Sequence, residues 1–398
     1  MIALSSQRTA QQRQSVAVWN ERLLLIVASL LSTACHGGME QNSCSIILLA
    51  PRSGTQAAIG NQIGRARLLV EEQLRAARDS AITIREVDTE GQPAVARAEL
   101  ERALGRWQAP IVVGSILSTE TREFLQPMLQ RGEVILANGS SDPTIRSLPY
   151  RHKRDGFFRN WPADDVEGRA MAEYLRKTDR ARRLAVFHAN DAYARALVDA
   201  FVQRFRDLGG QVIGPDVYQT NTTSFEPILR RLPQEGHDGY YVVGLPPDLA
   251  GMYNAIRRNP RTSTMPVFTA VAAETAEFRS LVRGDLNNLF FTAPSVDQAS
   301  ASYFEFREAY RKRFNGDSPD VVASITYDAL RIAIEAVRTA GCDSSRIKEY
   351  LYRMPAFQGI TGPTAFDDFG DVVTKPVSLR YYENGQLRTA VQTSRVQQ

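Results

Sequence analysis

Along residues 45–74 the hydrophobic pattern changes period once. Residues 46–50 form an unbroken apolar run, too short for a buried helix, and read as a strand covered on both faces. From Ile63 the apolar positions Ile63, Ala66, Leu69, Val70 and Leu74 recur at spacings of three and four or close to them, so they share one face of a helix that packs back on that strand. The connection, Pro51-Arg52-Ser53-Gly54-Thr55, lies at the carboxyl end of the strand, the end at which open α/β sheets bind their ligands.

The alternation continues with strand 82–87, helix 95–107, strand 111–114, helix 119–131 and strand 134–137. It breaks at Phe157-Phe158-Arg159-Asn160-Trp161-Pro162. It then resumes with helix 165–176, strand 184–187, helix 192–208, strands 212–218 and 240–243, helix 247–257, and strands 267–269 and 289–292. Helices 302–314 and 321–340 fit the first series better than the second. The expected fold class is therefore α/β in two lobes, each a mainly parallel sheet flanked by helices. The 398 residues also exceed the length over which one core usually grows, about 250–300 residues. The chain is expected to cross between lobes near Trp161, Pro294 and Gln358. That places 45–160 and 294–357 in the first lobe and 161–293 and 358–392 in the second, with a hinge of three segments between them.

The amino end bears on location. Residues 23–34 are apolar and small, follow Arg13 and Arg22, and are too few for the ~20 residues of a membrane helix, so 1–34 reads as a secretion signal. Ser32-Thr33-Ala34-Cys35 resembles a lipoprotein signal in which Cys35 is lipidated, although Ser32 stands where such signals usually have Leu; ordinary cleavage near Cys35 is the alternative. The formal net charge is +4, but three arginines and Glu21 precede residue 35, which leaves 45 basic against 43 acidic groups. Those charges are scattered over helix faces, and the cluster Arg151-His152-Lys153-Arg154 accompanies no nucleic-acid motif, so no nucleic-acid partner is expected. With Cys35 lipidated, Cys44 and Cys342 remain as a pair in an oxidising compartment. They read either as a disulfide on the face away from the ligand or as two separate buried thiols.

Over residues 45–387 the chain resembles the type I periplasmic binding proteins, in particular the leucine/isoleucine/valine-binding branch that serves ABC importers. The resemblance is carried by SIILLAPRSGTQAAIG, VVGSILST, LANGSSDP, FRNWPADDVEGRAMAEYL, VFHANDAYARALVDAF, FREAYRKRFNGDSPDVVASITYDAL and GITGPTAFDDFGD, which occur in the family's order. It implies a small-molecule ligand held between the lobes and an ABC permease as partner. Membrane attachment is expected only through a lipid anchor, and no cofactor.

The resemblance also implies site residues. Ser118 matches the family's carboxylate-binding serine, Gly139 and Ser141 match the small and hydroxyl residues that hold the ligand, and Tyr193 matches an aromatic that closes over it. Taken alone, both serines also read as helix N-caps, with the helix ends adding partial positive charge to an anion site. The chain departs from the amino-acid binders at Ile59 and Pro246, where the branch has aromatics, and at Val271, where it has the acid for the ligand ammonium. Glu274 or Asp191 is left to take that part. Arg52 reads either as a cleft cation for an anionic ligand or as a solvated surface group.

No enzyme is expected. The sequence has no G-x-G-x-x-G after a strand, no G-x-x-x-x-G-K-[ST], no G-x-S-x-G and no H-E-x-x-H, and its four histidines, His36, His152, His188 and His237, are widely spaced. The expected function is an extracytoplasmic solute-binding protein for an amino acid, amide or organic acid. The alternative is a sensor or envelope lipoprotein of the same fold with a protein partner.

Overall fold

The first sheet is entirely parallel and grows outward from its first strand. The computed structural model describes residues 43–231, 236–296 and 300–392; the signal segment and Cys35 lie outside them. The first lobe opens with β1 (Cys44–Ala50), α1 (Ala57–Ala76), β2 (Ile82–Asp88), α2 (Pro93–Arg106), β3 (Ile111–Val113), α3 (Ser118–Gln130), β4 (Ile135–Ala137) and β5 (Phe157–Arg159). Its strand order is β2-β1-β3-β4-β5. All seven residues of β1 are buried because both faces are covered. Ile46 and Leu48 pack with Ile63, Ala66 and Val70 of α1, while Ile47 and Leu49 pack with Leu100, Phe124 and Met128 of α2 and α3. That double cover is why the run is apolar throughout instead of alternating.

The second lobe follows with α4 (Asp164–Lys177), β6 (Arg183–Ala189), α5 (Ala192–Asp207), β7 (Gln211–Tyr218), α6 (Glu226–Leu229), β8 (Gly239–Val243), α7 (Pro246–Arg258), β9 (Val267–Thr269), α8 (Ala276–Leu281) and β10 (Leu289–Pro294). The chain then returns to the first lobe as α9 (Ala301–Arg313), α10 (Val321–Ala340) and α11 (Ser344–Arg353). Tyr310 of α9 donates to Gln62 at 2.6 Å, and Gln73 of α1 donates to Tyr327 of α10 at 2.7 Å. A short hairpin, β11 (Phe357–Gly359) and β12 (Gly362–Thr364), precedes β13 (Val377–Glu383) and β14 (Gln386–Gln392). The second sheet has the order β14-β13-β10-β9-β8-β6-β7, parallel except for the antiparallel pairs that β13 makes with β10 and β14. This is a two-lobed type I periplasmic binding protein fold with a three-segment hinge.

Two expectations need correction. Residues 157–159 are not a break but the fifth strand of the first sheet, with Phe157 paired to Ile135 and Arg159 to Ala137. The third crossing also comes later than Gln358. Asp328 of α10 accepts the Ile360 and Thr361 amides at 3.0 and 2.8 Å, and Asp371 bridges to Arg159. These contacts hold the chain on the first lobe until just before β13.

Cys44 and Cys342 form a disulfide, with Cα atoms 5.6 Å apart and a sequence separation of 298. It joins the amino end of β1 to the chain just past the carboxyl end of α10, where Gly341 leaves the helix at a positive φ of 76°. Cross-linking so distant a pair restricts the unfolded chain strongly, by about 3–5 kcal/mol. Replacing both cysteines by serine is expected to lower the melting temperature by several degrees, and reductant is expected to shift the wild type alone. Calorimetry with and without reductant checks both.

Candidate ligand site between the two lobes

The carboxyl ends of β3 and β4 place two loops against each other. Gly139 is required there because a Cβ would overlap the Ile116 carbonyl, and Ser140 adopts a φ of 53° to let the loop turn. The Ser140 amide donates to the Ile116 carbonyl at 3.1 Å and its hydroxyl to the Ser115 carbonyl at 2.9 Å. Ser118 then receives the Asp142 amide on Oγ at 3.3 Å. Neither serine is a helix N-cap. Ser118 is the first residue inside α3, whose cap position, Leu117, offers no side-chain acceptor. Ser141 precedes only a short 3₁₀ turn, residues 143–147, capped by Asp142. The positive end of α3 is therefore left without a side-chain acceptor beside Ser118.

A cavity of about 90 Å³ opens at this point between the lobes. Ser118, Gly139 and Ser141 reach it from the first lobe and Tyr193, near the start of α5, from the second. Ile59, Pro246 and Val271, the three departures in the sequence, line it too, so each replaces a polar or aromatic wall by an aliphatic one. Trp161, at the first crossing, and Val321 and Val322, at the start of α10, complete the walls and were not singled out from sequence. No lining residue is charged.

Two expected residues sit elsewhere. Glu274 turns back into the second lobe, where Arg380 of β13 donates to its Oε1 while also bonding the Pro294 carbonyl at 3.1 Å. Burial raises the Glu274 carboxyl and Arg380 opposes the rise. Arg52 does not line this cavity, and its side chain is 35% exposed. It folds onto α1, donating to the Gly60 carbonyl at 2.8 Å and lying 3.7 Å from Glu86, in space left free by Gly64. Both cations and acids found partners distant in sequence, which the motif could not reveal.

Behind the cavity wall lie Asp164 and Glu167 of α4, both without solvent exposure. No donor meets hydrogen-bond geometry at any of their four oxygens. Burial pushes the Glu167 carboxyl up to about 8, against the opposing effect of Thr292 and Trp161, and raises Asp164 well above the usual range. Burial likewise brings Glu120, in the first turn of α3, up to about 7. Burial thus disfavours the charged forms of Asp164 and Glu167 at neutral pH.

A family model for periplasmic binding proteins matches residues 44–386. The chain belongs to this family. Among relatives, an amino acid binding protein of Pseudomonas aeruginosa is 23% identical over 358 residues, covering 88% of this chain and 92% of that protein. Among solved structures, the leucine-binding protein LivK from Thermotoga maritima has a TM-score of 0.79 at 21% identity, covering 88% of this chain and 98% of its own. A solute-binding protein from R. palustris in complex with benzoate has a TM-score of 0.74 at 18% identity, covering 88% and 96%. At these identities the structures establish the shared fold. The binding protein described here has the same two-lobed architecture, with its cavity between the lobes.

Because burial pushes the Glu167 carboxyl up to about 8, its titration makes stability depend on pH. Between about 4.5 and 8 the native state binds a proton that the unfolded state has released, so stability falls as pH rises through that window. Glu167→Gln removes this term. The variant is expected to melt higher than wild type at about pH 8.5 and to lose most of that advantage at about pH 5. An equal difference in melting temperature at both pH values would mean that Glu167 is ionised throughout.

Proposed function

We propose that the protein is an extracytoplasmic solute-binding protein that captures a small carboxylate with an apolar body and delivers it to an ABC importer. The observation that carries this reading is the convergence of Ser118, Gly139 and Ser141 from one lobe with Tyr193 from the other on a cavity whose remaining walls are uncharged and, apart from Thr275, aliphatic or aromatic. Two hydroxyls and the uncapped end of α3 suit a carboxylate, and the apolar walls suit its hydrocarbon part. The named ligands of the relatives, leucine for one structure and benzoate for another, share that chemistry. An α-ammonium has no acidic partner among the lining residues, since Val271 occupies one expected position and Glu274 is paired with Arg380. Attachment to the membrane through Cys35 belongs to the same reading.

Closure is part of the function. The cavity is walled from both lobes, so a ligand stabilises the conformation in which they meet, and the three crossing segments act as its hinge. Ser118→Ala and Ser141→Ala each remove a hydrogen bond to a desolvated carboxylate. They are expected to weaken binding by about 1.5–3 kcal/mol, or roughly ten- to a hundredfold. Tyr193→Ala is expected to weaken it by removing the wall from the second lobe. Calorimetric titration with benzoate, hexanoate and leucine measures this, and solution scattering is expected to show compaction with any of them that binds. Wild-type affinity in all three variants would place the ligand elsewhere.

A further inference from the structure

The cavity of about 90 Å³ is small for a ligand site, since such sites usually run to about 300–1,000 Å³. A second, outer chamber of about 300 Å³ adjoins it, with Leu117, Ser118, Tyr193 and Leu245 lining both. The outer room differs in chemistry. Its walls include Gln56, Asn190, Asn221 and two acids, Asp191 from the second lobe's β6–α5 loop and Asp248 from α7, and no basic residue.

Both acids are held in place without being neutralised. Asp191 accepts the Ala194 amide on Oδ1 at 2.8 Å, while its Oδ2 is closed off from solvent and has no hydrogen-bond partner. Asp248 is only 4% exposed and accepts the Asn221 amide on Oδ1 at 2.8 Å. Among the described residues neither makes an ion pair. The basic side chains that act on Asp191 are His188, with Nδ1 on the Ala189 carbonyl at 2.9 Å, and Arg195, with Nη2 on Asn190 Oδ1 at 3.0 Å. Neither lines the chamber. Burial pushes the Asp248 carboxyl up to about 6, with the Asn221 amide opposing and the charge of Asp191 adding to the rise. Two desolvated carboxyl groups on the walls of one chamber with no basic residue in its lining are costly, and a positive group placed there offsets the cost. No set of three His, Cys, Asp or Glu side chains among the described residues is arranged to hold a metal, which favours an organic cation.

We propose that the physiological ligand is bifunctional, with its carboxylate in the inner cavity and a distal ammonium or guanidinium held by Asp191 and Asp248 in the outer chamber. This rests on the carboxylate reading of the inner cavity, and it makes the ligand longer than leucine, with its positive charge away from the α-carbon. The uncharged inner walls leave the two ends of the ligand to separate poles of the cleft.

The probes are hexanoate and 6-aminohexanoate, which differ only in the distal amine, with benzoate and leucine alongside. By isothermal titration 6-aminohexanoate is expected to bind about tenfold or more tighter than hexanoate. Asp191→Asn and Asp248→Asn each retain an oxygen for the backbone amide they support, and each is expected to cut that ratio to about threefold or less; cooperative melting of the unliganded variants at or above the wild-type temperature confirms that they fold. Equal affinity of the two probes for the wild type overturns the proposal, as does a preference that survives the double variant. In either case binding of benzoate or hexanoate leaves the inner-cavity reading standing. If no carboxylate of the four binds, that reading fails and the proposal with it.

Discussion

A guanidinium with almost no solvent exposure, that of Arg159, donates through Nε to Asp371 at 2.6 Å and through Nη1 to the carbonyls of Ser140 and Asp142 at 3.0 and 2.9 Å. Those carbonyls belong to the loop that carries Gly139 and Ser141, and Asp371 belongs to the last segment before the chain leaves the first lobe for good. One side chain thus ties the edge strand of the first sheet, the loop beneath the candidate ligand and the third hinge segment to a common point. Burial alone would raise the Asp371 carboxyl, but Arg159 and Arg146 outweigh it and hold the group below the usual carboxylate range. Removing one partner of a buried, hydrogen-bonded pair of this kind typically costs about 3–5 kcal/mol, because the other is left charged in a poor solvent. Backbone packing reinforces the link: Gly370, at a φ of 77°, lies so close to Phe157 that a Cβ would overlap its carbonyl.

With that point fixed, the first-lobe half of the cavity is rigid by construction. Ser118 is held through the Asp142 amide, and Asp142 in turn receives Nε of Arg122 at 2.7 Å. The loops after β3 and β4 are joined through Ser140 and Ile116. An anion arriving there finds donors already oriented, which lowers the ordering cost of binding. The second-lobe half is simpler. Tyr193 is carried on the first turn of α5, and the Asp191 cap sets where that turn begins. The Tyr193 hydroxyl has no hydrogen-bond partner, and burial keeps it protonated.

What could be read in advance follows from how local its cause is. The double-sided cover of β1 writes itself as an unbroken apolar run, and the buried face of α1 as a spacing of three and four, so both are visible in the chain. The strand at Phe157 to Arg159 is three residues long and contains an arginine, and nothing nearby announces that Asp371 will neutralise it. Arg52 and Glu274 are the same problem in reverse. Each sits beside a loop that faces the cleft, and each is claimed by a residue that topology alone brings near, Glu86 through the pairing of β1 with β2 and Arg380 through that of β10 with β13. Apolar pattern is therefore a good guide to elements and a poor one to the destination of charged side chains. That destination decides which of them are free to meet a ligand.

Trp161 joins these two levels. It follows Arg159 by two residues at the first crossing and lines the cavity, so a residue of the hinge is also a residue of the wall. Any rotation of the lobes that moves the backbone at this crossing moves the indole against whatever fills the space. Glu167, buried in α4, carries a carboxyl that burial raises to about 8 against an opposing effect of Trp161. Whatever fills this space therefore meets a wall that belongs to the first crossing. Affinity in such a cleft is then governed by how far the empty protein already populates the closed arrangement as well as by the contacts made within it.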